Sequence, residues 1–292
     1  MQVLITGAAG FLGSKLAETL SKNDDIEKIV AYDNLSSGSF DYLLSPIKGK
    51  YKIKPIVGDI LDSRSLDIAL KGIDVVVHVA HCADDDSFHR LEQVNNWGTS
   101  EVISAFERSN ASRFIHISNT RVYGSNKDNQ ELLDPSTHYE WSLVRAEEHV
   151  RRIISAGKGA ILRVGELYGL APAKATTSGI NSLIFDAYSG KKLRVEGNGN
   201  LKRNLSDIDV AAENIVDLMF NSQLNGIYNS IDYSLSTMEL LQEVKNIYPE
   251  LEVIFLNHHY EHDGVIIKKS AELGSEAPSL YEAFIQIKRA LE

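Results

Sequence analysis

The first residues of the chain constrain the fold more than any other stretch. Residues 2–6 are mostly apolar and predict a short buried strand, and Gly7, Gly10 and Gly13 follow at once. Leucines then recur on one face of a predicted helix. A strand, a glycine-rich turn and a helix N-terminus together present unpaired N–H groups and a positive dipole end to an anion. The pyrophosphate of a dinucleotide is such an anion, so this stretch predicts a dinucleotide site. Its predicted cofactor contacts are Gly7, Gly10, Phe11, Leu12 and Gly13.

Strand and helix patterns alternate through the first half of the chain. Apolar strand patterns occur at residues 29–33, 51–57, 75–79, 114–118 and 160–163, with helical patterns near 13–22, 63–71, 95–109 and 139–155. Strands that are apolar at nearly every position predict a parallel sheet covered by helices on both faces. We therefore predict an α/β, doubly wound Rossmann fold. Its ligands lie at the carboxyl ends of the strands, where the glycine turn, Asp33 and Asp59 should meet.

The second half of the chain is less regular. Helical patterns occur near residues 180–188, 210–220, 238–247 and 280–291, and strand patterns at 227–231 and 253–256. We expect Asp209 and Thr237 to cap the second and third of these helices. Residues 1–164 with about 205–232 are predicted to form the cofactor domain. Residues 165–204 and 233–292 are predicted to form a smaller substrate lobe that closes over the strand ends.

Composition excludes several classes of protein. The chain has 292 residues and a formal net charge of −10, which argues against a general nucleic-acid or anionic-membrane surface. The single cysteine, Cys82, rules out an internal disulfide framework. The sequence shows no secretory signal pattern and no apolar run of about 18 residues. We expect a cytoplasmic protein.

Two carboxylates follow predicted strands at the ligand-binding edge. Asp33 stands 20 residues after Gly13, where a carboxylate accepts both hydroxyls of an adenosine ribose and repels a 2′-phosphate. This position favours NAD over NADP. Asp59 ends the next strand, where it can bind the adenine amino group. The alternative for each is a turn residue, with Asp33 capping Ser36 or Ser37.

Several segments of the chain together resemble a known family. Thr6–Gly13 is similar to the opening of the extended short-chain dehydrogenase/reductases, a family of nucleotide-sugar epimerases, dehydratases and reductases. Further similar segments follow in the family's order: Asp33–Gly38, Gly58–Ile60, His78–Ala80, Asn95–Thr99, Ser118–Gly124, Tyr139–Ser142, Arg163–Gly169 and Gly190–Arg203. The resemblance spans roughly residues 2–230 and implies NAD as cofactor and a nucleotide-linked sugar as substrate. The further cofactor contacts it implies are Asp33, Asn34, Ser36, Asp59, Ile60, Val79, Ala80, His81, Asn95, Ser118 and Tyr139.

The catalytic positions depart from the family pattern. The resemblance implies that Tyr139 is the acid/base for a sugar hydroxyl, helped by a serine or threonine and by a lysine four residues later. These two positions hold Asn119, with Thr120 beside it, and Leu143. A free phenol has a pKa of about 10, so only about one in a thousand is ionised at pH 7. Without the lysine, we expect oxidation to suffer more than reduction, which uses the protonated phenol. Asn119 can still donate an N–H to the substrate oxygen.

Other residues could replace the missing base. His81 follows the fourth strand and titrates near neutral pH, so it can act as acid/base; the alternative is a surface-loop histidine. Cys82 is a weaker choice, since a small buried cysteine is the usual case. Asp84, Asp85 and Asp86 are consecutive and cannot all face one metal ion, so a solvated loop is the better interpretation. No Cys/His spacing supports zinc, and we predict no metal.

The substrate contacts are expected in the second half of the chain. The resemblance implies that Arg203 pairs with a diphosphate, for which the guanidinium fork is suited. Arg194 is a second basic residue of this region. Glu166 stands where the family often has a polar residue near the phosphate or sugar, and a carboxylate there is unusual. It argues against a standard diphosphate sugar.

Two hypotheses of function follow. In the first, the chain is an NAD-dependent oxidoreductase, epimerase or dehydratase. In the second, it is an NAD-binding relative whose chemistry has lapsed, because the cofactor half is intact while two catalytic positions have changed. Relatives commonly dimerise through the helices that begin near Asn95 and Tyr139. An apolar stripe suits either such a homodimer or an intramolecular core: Val144, Val150, Ile153 and Ile154.

Overall fold

A seven-stranded, all-parallel sheet forms the centre of the protein. A computed structural model describes residues 1–38, 47, 49–83, 87–124, 132–173, 179–257 and 264–292. The sheet order is β10-β6-β5-β4-β1-β2-β3. Its strands are β1 (Gln2–Thr6), β2 (Lys28–Asp33), β3 (Ile53–Val57), β4 (Val75–His78), β5 (Arg113–Asn119), β6 (Gly159–Val164) and β10 (Ile227–Ser230). The predicted doubly wound α/β fold is confirmed.

Helices cover both faces of this sheet. They are α1 (Phe11–Ser21), α2 (Ser63–Ala69), α3, α4 (His138–Ser155) and α6 (Ile208–Phe220). We use α3 for three consecutive helical segments, Phe88–Leu91, Glu92–Gly98 and Thr99–Arg108, of which the middle one has π-helical hydrogen bonds. Leu16 and Ile215 pack on one face of the sheet, while Leu66, Val102 and Val150 pack on the other. The unbroken apolar strands predicted from sequence are thus buried on both sides.

The order of the strands reverses between β1 and β4. β1 pairs with β2 on one side and with β4 on the other, so the chain runs outward in opposite directions from this pair. Thr6 and His78 are register partners at the carboxyl ends of the two strands. The connections that follow them diverge to opposite faces, and a crevice opens between them. Ligands of doubly wound sheets bind in such a crevice.

A smaller lobe is built from the second half of the chain. It contains a three-stranded sheet of β7 (Glu166–Tyr168), β9 (Lys202–Asp207) and β11 (Tyr233–Ser236), and a two-stranded sheet of β8 (Leu193–Glu196) and β12 (Val253–Leu256). Three helices complete it: α5 (Gly179–Tyr188), α7 (Thr237–Ile247) and α8 (Leu280–Leu291). Tyr168, Ile184, Leu240 and Phe284 belong to its separate apolar core.

Several details of the sequence prediction are wrong. Asp207, two residues before the expected Asp209, caps α6 by accepting N–H bonds from Asp209 and Val210. Ser236 caps α7 in a reciprocal capping box with Glu239, so Thr237 is the first helical residue. Neighbouring polar residues compete for the cap, and the one with extended backbone just before the first turn takes it.

Other predicted boundaries move as well. β3 begins at Ile53, because residues 50–52 form a turn of 3₁₀ helix. The third helix begins at Phe88, seven residues before the expected start at 95. The apolar stripe of α4 is intramolecular: Val144, Val150 and Ile153 are buried in apolar clusters of the chain itself.

A polar network lies between α4 and the sheet. Glu147 accepts two hydrogen bonds from the guanidinium of Arg163, at 2.8 Å from Nε and 2.5 Å from Nη2, and a third from Ser118 Oγ at 2.7 Å. Arg163 also donates to the hydroxyl of Tyr123, which donates to Asn229 Oδ1. The side chains of Arg163 and Glu147 are only 6% and 1% exposed. The Glu147 carboxylate raises the pKa of Arg163 although burial alone would lower it.

Removing the Glu147 charge is predicted to destabilise the fold. Glu147→Gln leaves the buried Arg163 without its full countercharge, and loss of one buried partner costs about 3 kcal/mol. Urea denaturation measures this loss. The matched control is Glu107→Gln in the exposed Glu107–Arg152 pair, where we expect less than about 1 kcal/mol. Equal losses in the two variants would show that burial of the Glu147 pair contributes nothing.

Candidate active site

A cleft of about 420 Å³ lies at the carboxyl ends of the central strands. Sixteen of the residues predicted to bind cofactor or to act in catalysis line it. They are Gly7, Gly10, Phe11, Leu12, Gly13, Asp33, Asn34, Ser36, Asp59, Ile60, Val79, Ala80, His81, Ser118, Asn119 and Tyr139. The structure therefore brings together sequence segments that are far apart in the chain. Their roles remain predictions.

The glycine turn is shaped by backbone contacts. Gly7 has a φ of +71°, and a Cβ there would lie 2.6 Å from the Ala80 Cα. A Cβ on Gly13 would lie 2.1 Å from the Gly7 carbonyl oxygen. Only glycine allows α1 and the end of β4 to approach the turn this closely. α1 begins after Gly10 without a side-chain cap, so its first N–H groups face the cleft and fit the pyrophosphate of a dinucleotide.

The two predicted acidic contacts also organise this end of the cleft. Asp33 accepts hydrogen bonds from the Ala9 N–H at 2.9 Å and the Leu35 N–H at 2.7 Å. Its carboxylate therefore joins β2 to the glycine turn, and its turn contact is to Leu35 rather than to Ser36 or Ser37. Asp59 accepts from the Leu61 N–H at 2.9 Å and from the Asn34 side chain at 3.1 Å. Each carboxylate oxygen has a further lone pair for a ligand hydroxyl or amino group.

Asn95 lies behind the cleft wall and is not among its lining residues. Its side chain accepts from the Cys82 N–H at 2.7 Å and donates to the Cys82 carbonyl at 2.9 Å and to Ser142 Oγ at 2.8 Å. The loop after β4 is thereby tied to α3 and α4. In the structure this residue holds the wall in place.

A buried histidine pair lies beneath the same wall. His78 bonds Thr6 Oγ1 at 2.6 Å and Thr99 Oγ1 at 2.9 Å, and its ring stacks on His116 with centroids 5.3 Å apart. Burial, together with the nearby histidines, lowers the pKa of His78 well below 6.5 and that of His116 to about 3. Both rings are therefore neutral near pH 7, as the apolar surroundings require.

Two residues of the predicted catalytic group, Tyr139 and Asn119, line the same cleft. Tyr139 lies in the first turn of α4 and is buried, and Leu143 lines the cleft one helical turn later. Asn119 ends β5; its Oδ1 accepts from the Arg121 N–H at 2.9 Å, and its Nδ2 lies 3.5 Å from the Gly165 carbonyl. One N–H of this amide is left for a ligand oxygen. Thr120 is buried in the following 3₁₀ turn, outside the cleft lining.

No lysine lines the described part of this cleft. The guanidinium of Arg121 lies over the Tyr139 ring, 5.5 Å from its centroid, and also pairs with Glu140 at 3.4 Å. Arg145 pairs with Glu92 on the outer side of α4, so it does not replace the missing lysine. The positive charge of Arg121 beside the Tyr139 ring is thus partly balanced by a carboxylate.

His81 and Cys82 occupy different environments. His81 is exposed at the cleft wall, and the surrounding protein lowers its pKa below 6.5, so the imidazole is neutral near pH 7. Cys82 is buried in an apolar cluster with Tyr139 and Leu143. The acidic run of residues 84–86 lies outside the described residues. The described part of the chain contains no group of three or more His, Cys, Asp or Glu residues that could hold a metal ion.

The structure separates the three predicted substrate contacts. Glu166 of β7 and Arg203 of β9 form a bidentate ion pair, with Nε to Oε1 at 2.8 Å, and neither residue is among those that line the cleft. Arg194 lies on the exposed side of β8, outside the cleft lining. Sequence reasoning did not foresee that Arg203 would be neutralised by Glu166.

Comparisons with known proteins agree with this geometry. Residues 3–229 match the model of the NAD dependent epimerase/dehydratase family. The chain belongs to this family. It is 28% identical to the dTDP-D-glucose 4,6-dehydratase of Dictyostelium discoideum over 272 residues, which cover 84% of this chain and 62% of that protein. The match thus spans less than two thirds of the relative.

Solved structures share the whole fold. Pal from Bacillus thuringiensis has a TM-score of 0.87 and 19% identity, with all of both chains covered. UDP-glucuronic acid 4-epimerase from Bacillus cereus, solved with NAD and a fluorinated UDP-glucuronic acid, has a TM-score of 0.86 and 22% identity. That match covers 99% of this chain and 100% of the epimerase chain. No described helix is long and apolar enough to cross a membrane.

Some functional features were missed from the sequence. The cleft is also lined by Tyr32, Arg90, Val94, Val164 and Leu167, none of which was predicted as a site residue. Glu147 bonds Ser118 and Arg163 beneath the cleft. Its position in the sequence could have identified it, because it stands eight residues after Tyr139, two turns along the same helical face. A polar residue on an otherwise buried face indicates a buried partner.

Asp33 is predicted to discriminate between the two nicotinamide dinucleotides. Asp33→Ala removes the acceptor for the ribose hydroxyls and the charge that repels a 2′-phosphate. We expect the ratio of NAD to NADP affinity, measured by calorimetry, to fall about tenfold. Asp59→Ala is the matched control, because it removes the same charge near the adenine, which both cofactors share. Equal loss of both affinities in Asp33→Ala would refute the ribose assignment.

Proposed function

We propose that the chain catalyses NAD-dependent oxidation and reduction at a hydroxyl-bearing carbon of a nucleotide-linked sugar, as in an epimerase, dehydratase or reductase. The observation that carries the proposal is that Tyr139 and Asn119 line the same cleft as the glycine turn. Bound NAD would supply hydride exchange. The chain supplies a phenol and an amide N–H for the substrate oxygen.

The surroundings of Tyr139 favour one direction of proton transfer. Leu143 and Cys82 pack with it in an apolar cluster, to which Val265 and Ile267 of the C-terminal segment also belong. Apolar burial disfavours a charged phenolate, and the described residues that line the cleft include no lysine to oppose this effect. Tyr139 therefore acts best as the protonated donor to a carbonyl oxygen, which is the direction of reduction. The free N–H of Asn119 can stabilise negative charge on the same oxygen.

Replacing the phenol tests this proposal. Tyr139→Phe keeps the ring and its packing but removes the proton donor, so we expect turnover to fall by about 10²- to 10⁴-fold. Nicotinamide absorbance with a panel of nucleotide sugars measures the rate, and calorimetry should show NAD affinity close to that of wild type. The control is Tyr51→Phe, which alters a tyrosine that is 88% exposed. Undiminished turnover in Tyr139→Phe would exclude the assigned role.

A second function, NAD binding without turnover, is favoured by Leu143. This side chain is 3% exposed and fills the position of the family lysine with a packing contact. If wild type binds NAD but turns over none of the sugars, and Leu143→Lys creates activity, the binding function stands. If wild type is active and Leu143→Lys does not increase its oxidation rate, the missing lysine has no consequence for the reaction.

We also propose that the chain forms a homodimer through α3 and α4. These helices expose Trp97 at 57% and Trp141 at 45%, two large apolar side chains on the outer side of the molecule. Trp97→Glu is expected to shift the mass measured by light scattering from dimer to monomer. Phe220→Glu, on α6 and 46% exposed, should leave the mass unchanged. A monomeric wild-type protein would contradict the proposal.

A further inference from the structure

A bidentate ion pair borders one wall of the cleft. Glu166 begins β7 and stands between Val164 and Leu167, both of which line the cleft. The Nε of Arg203 donates to Glu166 Oε1 at 2.8 Å, and its Nη2 bonds to Oε2. The Arg203 side chain is 15% exposed and the Glu166 side chain 39% exposed. The carboxylate therefore shields the guanidinium and is the more accessible of the two groups.

The start of α5 lies against the same pair. A Cβ on Gly179, its first residue, would lie 2.9 Å from Glu166 Oε2 and 3.1 Å from the Nη2 of Arg203. A helix start carries partial positive charge and unpaired N–H groups, and a guanidinium fork matches carboxylate or phosphate oxygens. Two groups that attract anions thus meet at one point. The chain's own Glu166 occupies that point.

We propose that Glu166 is a specificity-determining residue. Its carboxylate occupies the anion-binding position beside the Arg203 guanidinium and excludes phosphate groups from that position. The part of the substrate that reaches this wall is then a hydrogen-bond donor, a hydroxyl or amino group. This inference rests on the proposed function, because it concerns the substrate of the same cleft. An ionised carboxylate only accepts hydrogen bonds, so sugar hydroxyls satisfy it while phosphate oxygens are repelled. A phosphate reaches the Nε and Nη2 donors of Arg203 only by displacing Glu166.

Neighbouring cations of the lobe are also paired. Lys192 bonds Glu252 at 2.6 Å, and Lys202 bonds Glu239 at 3.2 Å. Arg194 is exposed on β8, outside the cleft lining. Arg203 does not line the cleft either, but its partner Glu166 lies in the chain between two lining residues, so this pair is the one beside the cleft wall.

Titration with two anionic probes tests the proposal. Inorganic pyrophosphate and UDP are titrated by calorimetry into NAD-saturated protein, so that the glycine turn is already filled. Glu166→Gln keeps the size of the side chain and one acceptor oxygen but removes the charge. We expect it to bind both probes on the order of tenfold tighter than wild type, because the Arg203 fork is no longer neutralised. Adding Arg203→Gln to this variant should abolish the gain.

A control variant and two contrary results complete the test of Glu166. Glu252→Gln removes the same charge from an exposed pair of the same lobe and should bind both probes like wild type. The proposal is overturned if Glu166→Gln, with an unchanged melting temperature, binds pyrophosphate no tighter than wild type, or if the gain survives Arg203→Gln. Failure of the proposed function has a different signature. In that case NAD does not bind or Tyr139→Phe loses no activity, while the pyrophosphate difference between Glu166→Gln and the double variant still tests Glu166.

Discussion

The close contact of three backbone segments at the glycine turn is the constraint on which the rest of the structure depends. Gly7 meets the backbone at Ala80 after β4, and Gly13 brings α1 onto the Gly7 carbonyl. These contacts fix the helix start directly above the point where the strand order reverses. A side chain at either glycine would push α1 or β4 away and close the crevice. The cleft, and the backbone N–H groups that the start of α1 presents to it, are consequences of this packing.

One face of α4 links that cleft to the core beneath it. Tyr139, Leu143 and Glu147 follow one another at intervals of one helical turn. Tyr139 lines the cleft, Leu143 packs in an apolar cluster, and Glu147 forms a buried ion pair. In this chain the middle position packs against neighbouring apolar groups instead of carrying charge. The buried carboxylate of Glu147 is already committed to Arg163 and Ser118. The half-exposed Arg121 and the buried Glu140 are charged groups that contribute to the environment of the phenol.

The parts of the fold that sequence predicts are those with a physical period or a fixed spacing. The central strands are mostly apolar, and the glycines of the turn from Gly7 to Gly13 fall at a fixed spacing, so both were identified. β7 and β11 of the lobe are short and half-exposed and carry no such pattern, whereas β12 was predicted at residues 253–256. The cap of α7 moved from Thr237 to Ser236 because two adjacent hydroxyl residues are equivalent in sequence. The pairing of Glu166 with Arg203 joins positions 37 residues apart, and no local rule relates them.

The charges around the cleft limit how a substrate can be held. In a chain with a net charge of −10, Lys192, Lys202 and Arg203 are each paired with a carboxylate. The lysine pairs are exposed and weak, whereas Arg203 must give up its two bonds to Glu166 before Nε and Nη2 can bind a phosphate group. The N–H groups of the glycine turn keep their positive field because α1 begins without a side-chain cap or an acidic residue in its first turn. The cofactor end of the cleft is thus built for anions, whereas the substrate wall at Glu166 is built for hydrogen-bond donors.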